Sequence, residues 1–211
     1  WAFDGKLEDI SSVLDPIRAK FEPRALSTTF LLNNTTQTRA YYAFPLKQQT
    51  MHIQYWKDML TDAGFKESDI PKDWKGYWDF WCSKVQTGYR QKTGQRGFGI
   101  GMPMGVDSTD SFFSFLTFMD AYNVTLVNDS GKLLVDDPSV RQSLINAVTD
   151  YTAVYAKGCT PPSSTSWKDP DNNVAFHNKT TVMTHNATIS IAAKWLDDSN
   201  NATLTAEQRA S

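Results

Sequence analysis

The sequence predicts an α/β fold, a mainly parallel sheet flanked by helices. Three observations carry this expectation. Short apolar runs alternate with segments of helical spacing from Ala40 onward. Strong helix starts stand at Asp73 and at Asp137-Pro138, the second pairing an N-cap with proline at the first helical position. Gly64 and Gly158 follow helical segments, where a left-handed closing residue is wanted.

After a turn-like opening, Ser12 to Phe21 has helical spacing, with Val13, Ile17 and Phe21 on one face, and Pro23 stops it. A weakly apolar run, Leu26 to Leu32, and a polar turn, Asn33 to Thr38, then read as a hairpin with its second strand at Ala40. That strand pauses at Pro45-Leu46-Lys47-Gln48-Gln49 and resumes at Met51 to Trp56. A strand broken at a proline can pass from one structural unit into another, so Lys47 to Gln49 are read as a hinge. Lys57 to Ala63 is a short helix. Beyond it, Trp74, Tyr77, Trp78, Trp81, Cys82, Val85 and Tyr89 recur at helical spacing and make one continuous apolar face. The tryptophans are read as core rather than as a ligand platform.

Gly97 to Met104 is a short buried strand running into a loop. It is no dinucleotide fingerprint, because the third glycine would fall at Met104. Asp110 is expected to cap a helix, Ser111 to Tyr122, apolar nearly all round and therefore central. Asn128 to Gly131 is a hairpin turn before a strand at Lys132 to Val135. The helix from Pro138 carries Val140, Leu144, Ala147, Val148, Tyr151 and Tyr155 on one face. A Pro/Ser loop, Thr160 to Ser166, leads to a short helix over Asp169 to Phe176. A strand over Thr180 to Thr184 ends at His185-Asn186, and a helix follows over Ala187 to Leu196.

A chain of 211 residues can hold one large domain or two small ones. Its net charge of −2 excludes a general attraction to nucleic acid or an acidic membrane surface. The aromatic content of 13% is read first as an aromatic core; flat rings also stack on sugar faces, which raises carbohydrate binding as an expectation. No run is long enough to span a membrane. The start at Trp1, without an initiator Met, is read as a processed, truncated or excerpted chain. Seven N-x-S/T sequons, at Asn33, Asn34, Asn123, Asn128, Asn178, Asn186 and Asn201, are read as loop composition. Composition leaves Cys82 and Cys159 open as two buried thiols or one disulfide.

Catalytic signals are sparse. His52, His177 and His185 lack metal-ligand spacing, no nucleophile elbow is present, and no metal or cofactor is expected. Asp107 and Asp110 could serve as a glycosidase pair. Ligands of α/β sheets sit beyond the carboxyl ends of strands. Here those ends are the Pro45 break, Met104 to Asp110, and His185-Asn186.

These same segments carry a family resemblance. YYAFPLKQQTMHIQYWKDMLTDAG resembles the lobe crossover of bacterial family 1 extracellular solute-binding proteins, the periplasmic receptors of carbohydrate ABC importers. IPKDWKGYWDFW is similar to their proline-lysine-threonine-tryptophan helix, with Asp73 in place of threonine. GKLLVDDPSVRQSLINAVTDYTAVYAKGCTPPSSTSW and NNVAFHNKTTVMTHNATIS are similar to the later part of the pattern, which in all runs from about Tyr41 to Ser190. The resemblance implies a periplasmic-binding-protein type II-like lobe, incomplete, over 47–211. It implies a remnant of the other lobe over 1–46, leading into the hinge. It further implies a monomeric, non-enzymatic receptor that takes a sugar, oligosaccharide or polyol and delivers it to a membrane permease. The periplasmic setting implies a Cys82–Cys159 disulfide. Ligand contacts are implied at Lys47, Gln48 and Gln49 in the hinge, at Asp107 and Asp110, and at His185, Asn186 and Thr188. Trp167 is implied as a stacking ring. No arginine cluster is apparent in the sequence, so a neutral sugar is expected before a sugar phosphate. Two other readings remain: a glycoside hydrolase using Asp107 and Asp110, and a lobe acting alone as an interaction module.

Overall fold

The computed structural model describes residues 1–46, 50–128 and 131–206. The chain divides into two compact units, Trp1–Gln49 and Thr50–Ser211.

The first unit is a short helical run and a hairpin. Helix α1 (Ser11–Leu14) passes into a 3-10 turn, Asp15–Lys20, instead of the expected α-helix to Phe21. The change falls at Asp15-Pro16, where proline brings no backbone N–H to continue the ladder. Leu14, not Val13, is therefore the buried residue; Val13 is 60% exposed. Pro23 does not only end a helix but opens the next one, α2 (Pro23–Ser27), capped by the Glu22 carboxylate on Ala25 N–H at 2.9 Å. Strands β1 (Phe30–Asn33) and β2 (Thr38–Tyr41) pair antiparallel, Phe30 opposite Tyr41. Asn33 shapes the intervening turn by accepting from the Thr35 and Thr36 N–H groups. Ala2, Ala40 and Tyr42 form its small core, with Leu7 against them.

The second unit is α/β, as the sequence predicts. Strands β3 (His52–Tyr55), β4 (Phe98–Gly101) and β5 (Thr181–Asn186) make a sheet of order β3-β5-β4. The sheet is mixed: β4 runs parallel to β5 and β3 antiparallel to it. Every residue of β4 and β5 is buried, whereas β3 is a partly exposed edge. Helix α3 (Lys57–Asp62) follows β3 and is closed by Gly64 at φ +90°.

The aromatic rod from Trp74 is not one regular helix. It consists of α4 (Trp74–Asp79), a π-helical segment Phe80–Val85, and α5 (Gln86–Thr93). Asp73 caps it, accepting from Gly76 N–H at 2.8 Å. The three consecutive residues Phe80, Trp81 and Cys82 are all buried, which a 3.6-residue period cannot place on one face. They are buried against different partners. The Phe80 ring meets Phe65 at 5.1 Å, Trp81 meets Tyr55 of β3 at 5.4 Å, and Cys82 is disulfide-bonded to Cys159. The tryptophans are core, as expected: Trp78 is 8% and Trp81 0% exposed.

Gly99 lies against this segment. Its N–H donates to Gln86 Oε1 at 2.8 Å, and a Cβ there would stand 1.9 Å from the Trp81 carbonyl oxygen. Gly99→Ala must push β4 off the rod and is expected to lower stability by about 2 kcal/mol. Urea unfolding checks this, and an unchanged midpoint contradicts it.

Helix α6 (Thr109–Ala121) buries Asp110, Ser114 and Phe118, but Phe112 is 58% exposed, so it is not apolar all round in its packing. It packs on α7 (Pro138–Ala156) through Phe115 and Phe118, each 5.4 Å from Tyr151. The expected strand at Lys132 is a single bridge, Val127 to Leu133; Asp129 and Ser130 of the turn lie outside the described residues. Helices α8 (Asp171–His177) and α9 (Ser190–Asn200) flank β5, each starting later than expected.

Candidate functional site

The register fixes which edge of the sheet is chemically rich. His52 pairs with Asn186, so β3 begins where β5 ends. Gly101 pairs in parallel with Thr184, so β4 ends at that edge too. The loop after β4 leads there into α6, and the loop after β5 leads into α9.

One hydrogen-bonded network ties these ends together. Asp169 accepts from Ser108 Oγ at 2.8 Å and from Asp110 N–H at 3.1 Å. The cap of α6 thus comes from a residue far along the chain, and Asp110 does not cap its own helix as expected. Asp110 instead turns inward, 9% exposed, and accepts from Asn172 Nδ2 at 3.1 Å. Asn172, fully buried, spends its second amide hydrogen on the His185 carbonyl at 3.0 Å. Its neighbour Asn173 accepts from Asn186 Nδ2 and donates to Ser190 Oγ at 3.2 Å. Asn186 Oδ1 accepts from the Thr188 N–H at 2.7 Å and hydroxyl at 2.9 Å. The Thr188 and Ser190 hydroxyls lie 2.7 Å apart, and Gln54 of β3 donates to the Thr188 carbonyl at 3.5 Å.

The two carboxylates are driven in opposite directions. Burial raises the Asp110 pKa and the Asp169 charge adds to this, against the Asn172 hydrogen bond. Burial also pushes Asp169 upward, but hydrogen bonds from Ser108, Asp110 N–H and Thr109 outweigh it and hold its pKa below the usual value.

The residues expected from the sequence fall into distinct places. Asn186 and Thr188 stand in the network, Asn186 buried at 2% exposure and Thr188 half-buried. Asp110 joins them through Asn172. Asp107 is an exposed turn residue outside the network. The His185 ring points into the core, 5.1 Å from Trp78, and only its carbonyl enters the network. Trp167 is 9% exposed, its indole N–H donating to Ser163 Oγ at 3.1 Å. Lys47, Gln48 and Gln49 lie outside the described residues. Sequence reasoning missed Asp169, Asn172, Asn173, Ser190 and Gln54. The Asn172-Asn173 pair at a helix start was the available signal, since amides there can bond sideways to a neighbouring strand end. Among the described residues, no group of three His, Cys, Asp or Glu side chains could hold a metal.

The edge therefore offers neutral amides and hydroxyls with a carboxylate nearby, and no arginine or lysine takes part in the network's hydrogen bonds among the described residues. Such groups both donate and accept, as a polyhydroxylated ligand requires.

The family profile of the bacterial extracellular solute-binding proteins matches residues 2–207. No protein of curated function matches. Among solved structures, maltose-bound MalE3 of T. maritima is 22% identical, with a TM-score of 0.62 over 88% of this chain and 43% of that one. An ABC transporter solute-binding protein from Thermotoga lettingae TMO, bound with α-D-tagatose, is 18% identical, with a TM-score of 0.71 over 95% of this chain and 50% of that one. A solute-binding protein from Agrobacterium radiobacter K84 in complex with ribitol is 16% identical, with a TM-score of 0.60 over 88% of this chain and 44% of that one. At these identities the likeness is one of fold. The chain spans half or less of the length of each.

Proposed function

From the premise that this chain belongs to the bacterial extracellular solute-binding protein family, we propose that it contributes one side of the ligand site of an ABC importer's carbohydrate receptor. The observation that carries this reading is the Asn173–Asn186–Thr188–Ser190 network at the carboxyl edge of the sheet. The ligand class is a neutral sugar, oligosaccharide or polyol. Lys47, Gln48 and Gln49, Asp107 and Trp167 are proposed further contacts, and 1–46 is proposed as a remnant of the other lobe, reached through the 47–49 hinge. The receptor would hold its ligand by lobe closure and pass it to membrane permease subunits as a monomer.

The family is extracellular by description, which places such proteins in the periplasm or outside the cell; the periplasm is the proposed location here. No helix among the described residues is long and apolar enough to cross a membrane.

Calorimetric titration with maltose, tagatose and ribitol tests this reading in a chain that carries both lobes. Saturable binding without turnover is expected for at least one of them. Thr188→Ala should weaken it roughly tenfold, the effect of one lost hydrogen bond in a desolvated site. The 211-residue chain alone is expected to bind weakly or not at all. Product formation from an oligosaccharide that disappears in Asp110→Asn would overturn the receptor in favour of a glycoside hydrolase.

A further inference from the structure

At the other edge of the sheet, β4 and β5 begin side by side, with Phe98 paired to Thr181. Two guanidinium groups share the Phe98 ring there. The Arg90 carbon lies 5.1 Å from its centroid and the Arg96 carbon 5.6 Å. The two arginines are separated in sequence by the end of α5 and its closing glycine, so no linear pattern marks the pair.

Among the described residues, their remaining groups have nothing acidic to meet. Arg90 Nε donates to the Gly97 carbonyl at 2.7 Å, which fixes the plane of the guanidinium and leaves its terminal nitrogens over. Neither arginine has an ion pair among the described residues, and Arg96 has no hydrogen bond there. Burial lowers the Arg90 pKa from its usual value, and the neighbouring Arg96 charge adds to this. Gln95 turns its side-chain oxygen to the Tyr89 hydroxyl at 2.7 Å, leaving its amide N–H groups as further donors. These groups border a groove of about 450 Å³, which no acidic residue lines among the described residues. Its rim at Gly94 and Gly158 is open, since a Cβ at either would meet nothing within 4 Å.

Donors without acceptors, in planar forks steadied on an aromatic face, fit an oxyanion. The volume exceeds what a bare ion fills and falls within the range of small-ligand pockets. We propose that this groove is a phosphate-recognising site in which Arg90, Arg96 and Gln95 bind a phosphate group carried by a small ester or by an anionic lipid headgroup. It is separate from the proposed solute site and stands whether or not a sugar binds there.

The whole 211-residue chain is titrated calorimetrically with inorganic phosphate and glycerol 3-phosphate at constant ionic strength, and sedimented with phosphatidylcholine vesicles with and without phosphatidylglycerol. Saturable binding is expected, weakened roughly tenfold or more in Arg96→Gln through loss of a charge-assisted contact. Arg96 is exposed and holds no structural hydrogen bond, so the variant should melt like the parent without phosphate. Binding of the free ester alone supports a small phosphorylated solute. Sedimentation with phosphatidylglycerol vesicles alone, lost in Arg96→Gln, supports the headgroup. No saturable binding to any of them, or binding that Arg96→Gln leaves unchanged, overturns the site.

Discussion

Removing the Cys82–Cys159 bond is expected to lower stability by on the order of 4 kcal/mol, as follows from closing a loop of sequence separation 77 in the unfolded chain. The bond joins the π-helical segment to Cys159, three residues past the end of α7. Cys159 is fully buried, and its carbonyl accepts from Ile100 N–H of β4 at 2.9 Å. Rod, helix and sheet therefore meet at one covalent point, beside which Gln86 of the rod donates to the Gly158 carbonyl at 3.1 Å and accepts from Gly99 N–H at 2.8 Å. The paired variant Cys82→Ala/Cys159→Ala is compared with the parent by urea unfolding. A loss below about 1 kcal/mol would mean that the unfolded chain is already compact around these residues, because the loop-entropy argument assumes it is not.

The second large effect is a loss of stability in mild acid, from His185. Burial drives its pKa down to about 4, and neither ring nitrogen has a hydrogen bond among the described residues. Below the ordinary value of 6.5 the unfolded chain takes up a proton that the folded chain refuses. Stability is thus full above pH 6.5 and falls as the pH drops toward 4, where the loss reaches about 3 kcal/mol. Asp169 and Asp58, whose pKa values are lowered, titrate below this window, and Asp110, whose pKa is raised, acts in the opposite sense. Unfolding midpoints measured from pH 7.5 to 4 should show a steeper slope in the parent than in His185→Leu, where His177, whose pKa burial also lowers, still contributes in the same sense. That variant keeps an apolar contact for Trp78 and leaves no unpaired ring nitrogen. An equal slope in both proteins would refute the assignment.

How much of this was legible depended on whether the signal was local. Asp73, Asp137 and Gly64 act on their own helix ends, and the structure uses each as the sequence indicates. The π-helical turn was not legible, because Trp74 to Tyr89 fits a 3.6-residue period even though the backbone widens at Phe80–Val85. What demands the widening is three separate partners, Phe65, Tyr55 and Cys159, none of them nearby in sequence. The same reason hid the site. Asp110 looked like a cap until Asp169 took that role from across the fold, and the turn of the His185 ring into the core against Trp78 depends on a helix about a hundred residues away. The position of Asn186 and Thr188 at the end of β5 was legible because a polar strand end after an apolar run needs no distant information. The α/β class was legible too; the direction of β3 against β5 was not, since alternating elements do not reveal which strands they bring together.

The order β3-β5-β4 also governs when the protein can fold. Of these three strands the last made is the one both others pair with, so β3 and β4 cannot complete their pairing with β5 until the chain has passed Thr181. At about 5–20 residues per second, the span from His52 to Thr181 leaves β3 unpaired for on the order of ten seconds of synthesis. A product ending short of β5 leaves β3 and β4 without this partner and is expected to aggregate more readily than the full chain.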